Sequence, residues 1–402
     1  GRSRGDTMRQ VFDHLHIHNR AERWLVGATD LALSVGAVIT RRSTAIPHQP
    51  TRILLLRLER IGDLLMTLPA LLKLRAAFPA ATIDLVVGSW NASLARLLTV
   101  VDHVETVDAP WLARGHQETG YLKLTRQASH WRTAQYDLAF NFEGDIRSNA
   151  LMALCGAPRR VGFDIKGGGA FLTDRATYDR QAHIATNAVR LVDTILPHSQ
   201  DSGATDDSLP LVIPESVRTQ VQDVLRQIGR PAIGIHASGG RAIKQWDPTR
   251  FAEAATRLAR SRGATIVLTG SAEDRAEVDR VKTALPSDLP VADLSGVLDL
   301  PRLAVILEHL SLFITGDTGP MHLAAAMGTP IVAVFGPSDP TNYGPLTSRS
   351  RVVRVNIWCS PCNQIRRPPS RCVGHVPDCL VGVEVDQVVA AANDLLADQG
   401  ME

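Results

Sequence analysis

Aromatic residues are scarce: Phe, Trp and Tyr make up 5% of the 402 residues. No basic-aromatic stripe offers a surface on which nucleic-acid bases would stack. A strong excess of one charge is also missing. The formal net charge is only +2, so nothing marks a general nucleic-acid binder. No apolar run is long enough to span a membrane. No leading apolar core of a secretory signal is visible, which makes the cytoplasm the expected compartment. Cysteines number five, and in a reducing compartment structural disulfides are not expected. The G-x-G-x-x-G spacing of a dinucleotide fingerprint is missing after the first strand. What remains is an ordinary globular composition, 45% apolar and 21% charged, long enough for two domains.

Gly1 to Thr7, ahead of Met8, read as a tag remnant, and residues 1–48 as that remnant plus a helical appendage. Trp24 to Ile39 is mostly apolar but carries Asp30 and is short for a span. It reads either as a helix packed on a domain or a second copy, or as an interfacial helix on the inner face of a membrane. Arg20, Arg23, Arg41 and Arg42 flank it, which suits the second reading. Pro47 and Pro50 then mark a linker.

Strands and helices alternate in two blocks. In residues 49–200 the pattern predicts strands over Arg52 to Leu58, Thr82 to Val87, Val104 to Val107 and Tyr136 to Asn141. Helices are expected over Asp63 to Phe78, Gln117 to Thr133 and Asn187 to Leu196. Residues 201–214 form a linker, continuing the polar stretch His198 to Ser208. In residues 215–402 the expected strands are Ala232 to His236, Thr265 to Thr269, Leu312 to Ile314 and Ile331 to Phe335. The expected helices are Glu215 to Ile228, Pro248 to Arg262, Glu273 to Leu285, Leu300 to His309 and Asp386 to Asp398. Such alternation predicts two Rossmann-like, doubly wound parallel sheets, facing a central cleft of the kind that takes ligands.

The run GDTGPMHLAAAMGTP, Gly316 to Pro330, is the most informative stretch. A buried strand stops at Gly316-Asp317-Thr318-Gly319 and a small-residue helix begins at once. Its N-terminus offers backbone N–H groups and the positive end of the dipole, which suits a phosphate. Asp317 or Thr318 can cap it, Gly319 lets a ligand approach, and His322 lies one turn in. A second glycine turn, Ser238-Gly239-Gly240, ends the strand before Lys244 and can form an anion nest. Lys244 is either a surface lysine or the cation that neutralises a diphosphate leaving group. Glu273 or Asp274 can take ribose hydroxyls or simply sit at a helix N-terminus, and the short turn Leu294-Ser295-Gly296 can form an apolar base slot.

In the first block, Asp63 follows a Gly turn at the sheet's carboxyl edge. It is either a helix cap or a general base for an acceptor hydroxyl. Arg57, Arg60 and Arg147 lie near strand ends and can meet an anionic acceptor, or be ordinary surface arginines. His183 reads as a surface or capping residue, His236 as structural, and Cys155 as core. Cys359, Cys362, Cys372 and Cys379 crowd the C-terminal tail. The first pair has the two-residue gap of a metal knuckle, so zinc or another thiophilic metal is one reading. Reduced thiols or disulfides are the others, and His375 is a possible substitute ligand.

Together these segments resemble glycosyltransferase family 9, the ADP-heptose:lipopolysaccharide heptosyltransferases. The resemblance rests on RLERIGDLLMTLPAL, ASGGRAIKQW, GDTGPMHLAAAMGTPIVAVFGPSDP and the tail starting WCSPC, and it spans about residues 51–398. It implies a GT-B architecture, with the acceptor in the first domain and the nucleotide sugar in the second. On the matching positions it implies Asp63 as catalytic base and Lys244 as the diphosphate contact. Asp317, Thr318, Gly319 and His322 become the donor-phosphate loop. The implied reaction is inverting transfer from ADP-heptose to a lipopolysaccharide core sugar, with no cofactor required for the chemistry. Pro368-Pro369-Ser370-Arg371 lengthen the tail beyond simpler members. Other readings are a relative using another nucleotide sugar or a protein acceptor, a sugar-nucleotide epimerase, and a non-catalytic nucleotide-sugar-binding subunit.

Overall fold

The computed structural model describes residues 15, 17, 20–40, 49–112, 120–196 and 211–398. Most of the expected linker, 201–210, lies outside the described residues. The chain divides into two compact units, residues 1–205 and 206–402.

The first unit begins with helix α1, Arg20–Thr40. Strand β1, Arg52–Arg57, follows, then α2, Ile61–Ala77, β2, Thr82–Val87, and β3, His103–Thr106. After α3, Tyr121–His130, come β4, Leu138–Asn141, α4, Ile146–Ala153, β5, Arg159–Gly162, β6, Asp174–Arg175, and α5, Ile184–Asp193. The sheet is six-stranded in the order β3-β2-β1-β4-β5-β6, and every pairing is parallel. Ile53 to Leu56 of β1 are fully buried. That is the continuous apolar run of a strand covered on both faces.

The second unit repeats the winding. It contains α6, Glu215–Ile228, β7, Ala232–His236, α7, Pro248–Arg262, β8, Thr265–Leu268, and α8, Arg275–Ala284. Then come β9, Val291–Asp293, α9, Leu300–His309, β10, Leu312–Gly316, α10, Gly319–Ala326, β11, Ile331–Val334, β12, Ser350–Val353, and α11, Val385–Ala397. Its six strands run β12-β11-β10-β7-β8-β9, again all parallel. Read from the other side, this is the same order as in the first unit. In each sheet the winding reverses beside the first strand, between β1 and β4 and between β7 and β10. Open α/β sheets bind ligands at the carboxyl ends of such a switch point.

Strands β5, β6, β9 and β12 were not expected. They are two to four residues long, with sequences such as RRVG and VAD. Segments this short carry too little periodicity to register. The expected Gln117 to Thr133 helix is Tyr121–His130 followed by a single tight turn, Trp131–Ala134; residues 113–119 are outside the described set. Helix α1 lies on the first unit. Val26 sits against Gly167, where an added Cβ would meet its Cγ1 at 2.5 Å, and Asp30 accepts a hydrogen bond from the Ala170 amide at 3.3 Å. Trp24, Leu25 and Leu31 remain exposed. No described helix is long and apolar enough to cross a membrane.

Candidate active site

In the first unit, the turn after β1 meets the end of β4. Helix α2 starts two residues before Asp63, with Arg60 as its N-cap. Asp63 is therefore the third helical residue and not the cap itself. Its Oδ2 reaches back to accept the Arg60 amide at 3.1 Å, the carboxylate half of a capping box. Its Oδ1 lies 3.4 Å from Nη2 of Arg57. The Asp63 side chain keeps 23% of its surface exposed, so a hydroxyl can reach it.

Arg57 faces inward. It is 4% exposed, and its guanidinium donates to the carbonyls of Asp63 at 3.1 Å and Phe142 at 2.9 Å. Burial by itself works against this charge. Glu143, Asp63 and Glu59 outweigh it, and the Arg57 pKa lies above its ordinary value. Arg60 donates to the Leu112 carbonyl at 2.7 Å and lies over the Trp90 ring at 4.6 Å. Arg147 is half exposed, bonds Asp145 at 3.2 Å and lies over the Trp111 ring at 5.0 Å. Two arginine-tryptophan stacks therefore stand among the segments that follow the strands of this sheet. Neither tryptophan was singled out by the sequence, since isolated aromatics in loops carry no periodic signal.

Glu143 is a third missed residue. It is 8% exposed, and its Oε1 accepts from two consecutive amides, Leu58 at 2.5 Å and Glu59 at 3.0 Å. Gly144, at φ +75°, makes the turn that follows it. A side chain at Gly144 would run into Phe163 and Ile165 at 2.9 Å. Burial, then Glu59, push the Glu143 carboxyl up to about 8; Arg57 pulls the other way, and Asp63 and Asp145 push further up.

In the second unit, the loops after β7 and β10 meet. Lys244 donates through Nζ to the Asp317 carbonyl at 2.6 Å and to Asp317 Oδ2 at 3.0 Å. Ser338, from the turn after β11, donates to the same Oδ2 at 2.5 Å. Asp317 is thus tied down by a cation and a hydroxyl, while Thr318 is the cap of α10, its Oγ1 accepting the Met321 amide at 3.3 Å. Gly319 opens the helix, and Pro320 has no N–H to offer. Among the described residues, the Thr318 and Gly319 amides donate to no protein acceptor. His322 is 5% exposed.

Ser238 is buried, and its Oγ pairs with Nε2 of His236 at 3.1 Å, whose Nδ1 meets Thr269 Oγ1 at 3.1 Å. Burial lowers the His236 pKa against the opposing pull of Asp274. The imidazole is thereby held neutral between two hydroxyls. Gly239 follows, and Gly240 has φ +62° with open space where a Cβ would be. Gly316 lies close by, its missing Cβ 3.4 Å from the Lys244 carbonyl. Ser238, Gly239, Gly240, Lys244, Asp317, Thr318 and Gly319 are thus brought to one edge of the sheet. Glu273 is exposed in the loop after β8, whereas Asp274 is engaged by the amide and hydroxyl of Ser271, both at 2.7 Å.

The cysteines of the tail come together. Cys359, Cys362, Cys372 and Cys379 all line one cavity of about 20 Å³, and none is in a disulfide. Burial, then the other three thiols, push the Cys379 thiol up to about 11. Among the described residues, no group of three or more His, Cys, Asp or Glu is arranged to hold a metal ion as placed. His375 is not directed at the thiols. Its Nδ1 meets the Val376 carbonyl at 2.9 Å and its Nε2 the Arg371 carbonyl at 2.8 Å. Two carbonyl partners favour the imidazolium, and its pKa is raised accordingly. His183 caps α5, its Nδ1 accepting the Ala185 amide at 3.0 Å, and Cys155 is buried.

Comparison with known proteins adds four findings. The family model described as glycosyltransferase family 9 (heptosyltransferase) matches residues 124–370. Lipopolysaccharide heptosyltransferase 2 of Salmonella typhimurium is 26% identical over 364 residues, covering 87% of this chain and 100% of that protein. Among solved structures, a family 9 glycosyl transferase from Veillonella parvula aligns with a TM-score of 0.73 at 24% identity, over 88% of this chain and 99% of its own. The Escherichia coli ADP-heptose lipopolysaccharide heptosyltransferase II aligns with a TM-score of 0.70 at 21% identity, over 87% and 99%.

Proposed function

The chain belongs to glycosyltransferase family 9, and on that premise we propose that it moves heptose from ADP-heptose to a hydroxyl of a lipopolysaccharide core or related glycan, with inversion. The observation that carries this reading is the convergence of the two switch-point loops of the second unit. There Lys244, the Ser238–Gly240 turn and the amides opening α10 gather on one edge. A cation, a glycine turn and a helix N-terminus together suit a diphosphate. The choice of donor sugar and acceptor is supported by the likeness to the Salmonella lipopolysaccharide heptosyltransferase and to the E. coli ADP-heptose enzyme.

Asp63 acts as general base in this reading. It takes the proton of the acceptor hydroxyl, the oxygen attacks the anomeric carbon, and the bond to the diphosphate breaks. Negative charge grows on the departing ADP. Lys244 and the helix dipole are already fixed where that charge appears, which is where electrostatic stabilisation acts. Asp317, paired with Lys244 and hydrogen-bonded by Ser338, keeps the lysine in place until phosphate competes for it. Ser238, Gly239, Gly240, Thr318, Gly319 and His322 line the donor side, with Glu273 near the ribose. Arg60 and Arg147 meet the acceptor, and Arg57 acts from behind Asp63.

Two attachments complete the reading. The outward Trp24, Leu25 and Leu31 of α1, with Arg20 and Arg23 on the same helix, support a peripheral contact with anionic lipid on the cytoplasmic side. The four tail thiols on one small cavity support a structural thiophilic ion such as zinc, toward which they would have to close. Neither is needed for the transfer step.

The test is a thermal-shift screen with ADP, UDP and GDP, followed by product analysis with ADP-heptose. A ligand that binds only the native state raises its apparent stability, by about 2.7 kcal/mol at a hundredfold excess over Kd. Selective stabilisation by ADP and acceptor-dependent ADP release are expected. Isomerised donor without acceptor would favour the epimerase, and binding without turnover would favour a binding subunit.

A further inference from the structure

We propose that Glu143 is a positioning residue for Asp63, bracing the loop and the arginine that hold the Asp63 carboxylate at the sheet edge. The inference rests on the reading of Asp63 as the base. Glu143 reaches across from the end of β4 to the turn after β1, 85 residues away along the chain. A single oxygen, Oε1, takes the Leu58 and Glu59 amides at 2.5 and 3.0 Å and lies 3.9 Å from Arg57 Nη1. Arg57 in turn binds the Asp63 carbonyl and carboxylate. The opposite side of the same turn is pinned by Trp90 and Asn91, which both donate to the Glu59 carbonyl at 2.7 and 2.9 Å. Glu143 is therefore the inner anchor of a turn whose next residues are Arg60 and Asp63.

A carboxyl is a costly choice for that anchor. Its side chain is 2% exposed, and an amide or hydroxyl would also accept two N–H groups. What the carboxyl adds is a proton that it can keep or release beside Arg57. Three carboxyls, Glu59, Asp63 and Glu143, share that one buried cation. Asp145 lies on the Glu143 side of the group, and Tyr178 is near Arg57, Glu59 and Asp63. Burying several like charges around one cation favours keeping a proton on the deepest of them. That proton sits on Glu143, whose carboxyl is pushed up to about 8. With Glu143 neutral, the Arg57 cation is left to orient Asp63.

The consequence for stability has a definite sign. The unfolded chain releases this proton near the ordinary value of 4.5, the folded chain only near 8. The folded state binds more protons between those values, so the Glu143 contribution weakens as pH rises from about 5 to 8.

The test uses full-length protein, with turnover read as ADP released from ADP-heptose onto heptose-deficient lipopolysaccharide. Glu143→Ala is expected to lower kcat at least about tenfold, with KM for ADP-heptose within about twofold. Glu143→Gln, which keeps an accepting oxygen, is expected to recover most of that loss and to flatten the fall in Tm between pH 5 and 8. Wild-type kcat in Glu143→Ala, or no recovery in Glu143→Gln, overturns the proposal. Should Glu143→Ala not fold, Glu143→Asp decides in its place: the variant keeps a carboxyl but loses its reach, and unchanged kcat overturns the proposal. If the wild-type protein releases no ADP, the functional reading fails separately. The brace is then decided by NMR: the Leu58 and Glu59 amide shifts must titrate with the Glu143 carboxyl near pH 8, and their failure to do so overturns it.

Discussion

Asp63 and Lys244 both stand just beyond the carboxyl ends of buried strands; Asp63 is held by Arg57 and Arg60 close by in the chain, and Lys244 by Asp317, 73 residues away. Asp63 spends one oxygen on the Arg60 amide and sets the other toward Arg57, so capping the helix does not consume the carboxylate. We expect Asp63→Ala to reduce ADP release by about 10²- to 10⁴-fold, the usual contribution of a positioned base. ADP affinity by calorimetry should be unchanged. Turnover at the wild-type rate would leave Asp63 a helix-end residue only. Lys244 is a different case, because its present partner is Asp317. Removing it in Lys244→Ala deletes a charge-assisted bond worth about 1.5–3 kcal/mol, so ADP should bind roughly tenfold more weakly or worse. Equal affinity would remove Lys244 from the donor site. The position of both residues was legible because each closely follows a buried strand, although Gly62 proves to lie within the helix that carries Asp63. Glu143 was not, because its role depends on a pairing between β1 and β4 that no local pattern reveals.

At the scale of elements, long periodic segments were readable and short ones were not. Strand β1 and helices α6, α7 and α9 fall where the hydrophobic pattern puts them. Helix α2 starts earlier than Asp63 because a capping box needs its carboxylate three residues inside the helix. Helix α8 is preceded by a separate turn, Ala272–Asp274, since Ser271 and Asp274 close on each other first. In the tail, the spacing of cysteines suggested a knuckle, and the fold does bring all four to one cavity. The turns between them are set by prolines and by His375 binding carbonyls, which spacing does not encode. Elemental analysis of gently purified protein is expected to find about one thiophilic ion per chain, lost together with thermal stability on chelation. Metal-free protein of unchanged Tm would leave four reduced thiols.

For the whole molecule, the decisive feature in the sequence was the repetition of strand and helix in two blocks, and it survives as two units of the same strand order. The appendage ahead of them was the least legible part, since an apolar helix fits a protein face and a lipid surface equally well. In the structure α1 does one and leaves a face for the other: Val26 and Asp30 turn inward, Trp24, Leu25 and Leu31 outward. Vesicles containing phosphatidylglycerol are therefore expected to sediment the wild-type protein. They should release a variant with Trp24, Leu25 and Leu31 changed to Ser, while Tm stays within a few degrees. Equal sedimentation of both would place any lipid contact elsewhere.

Having one winding twice has an evolutionary corollary. Each half owns a complete reversal point with its own loops, so drift in one set of loops need not disturb the other. If the proposed assignment of acceptor and donor to the two halves holds, a lineage could exchange the receiving partner by remodelling the turns after β1 and β4 and leave the turns after β7 and β10 as inherited. Hybrid chains spliced between the halves would be the laboratory counterpart of that history.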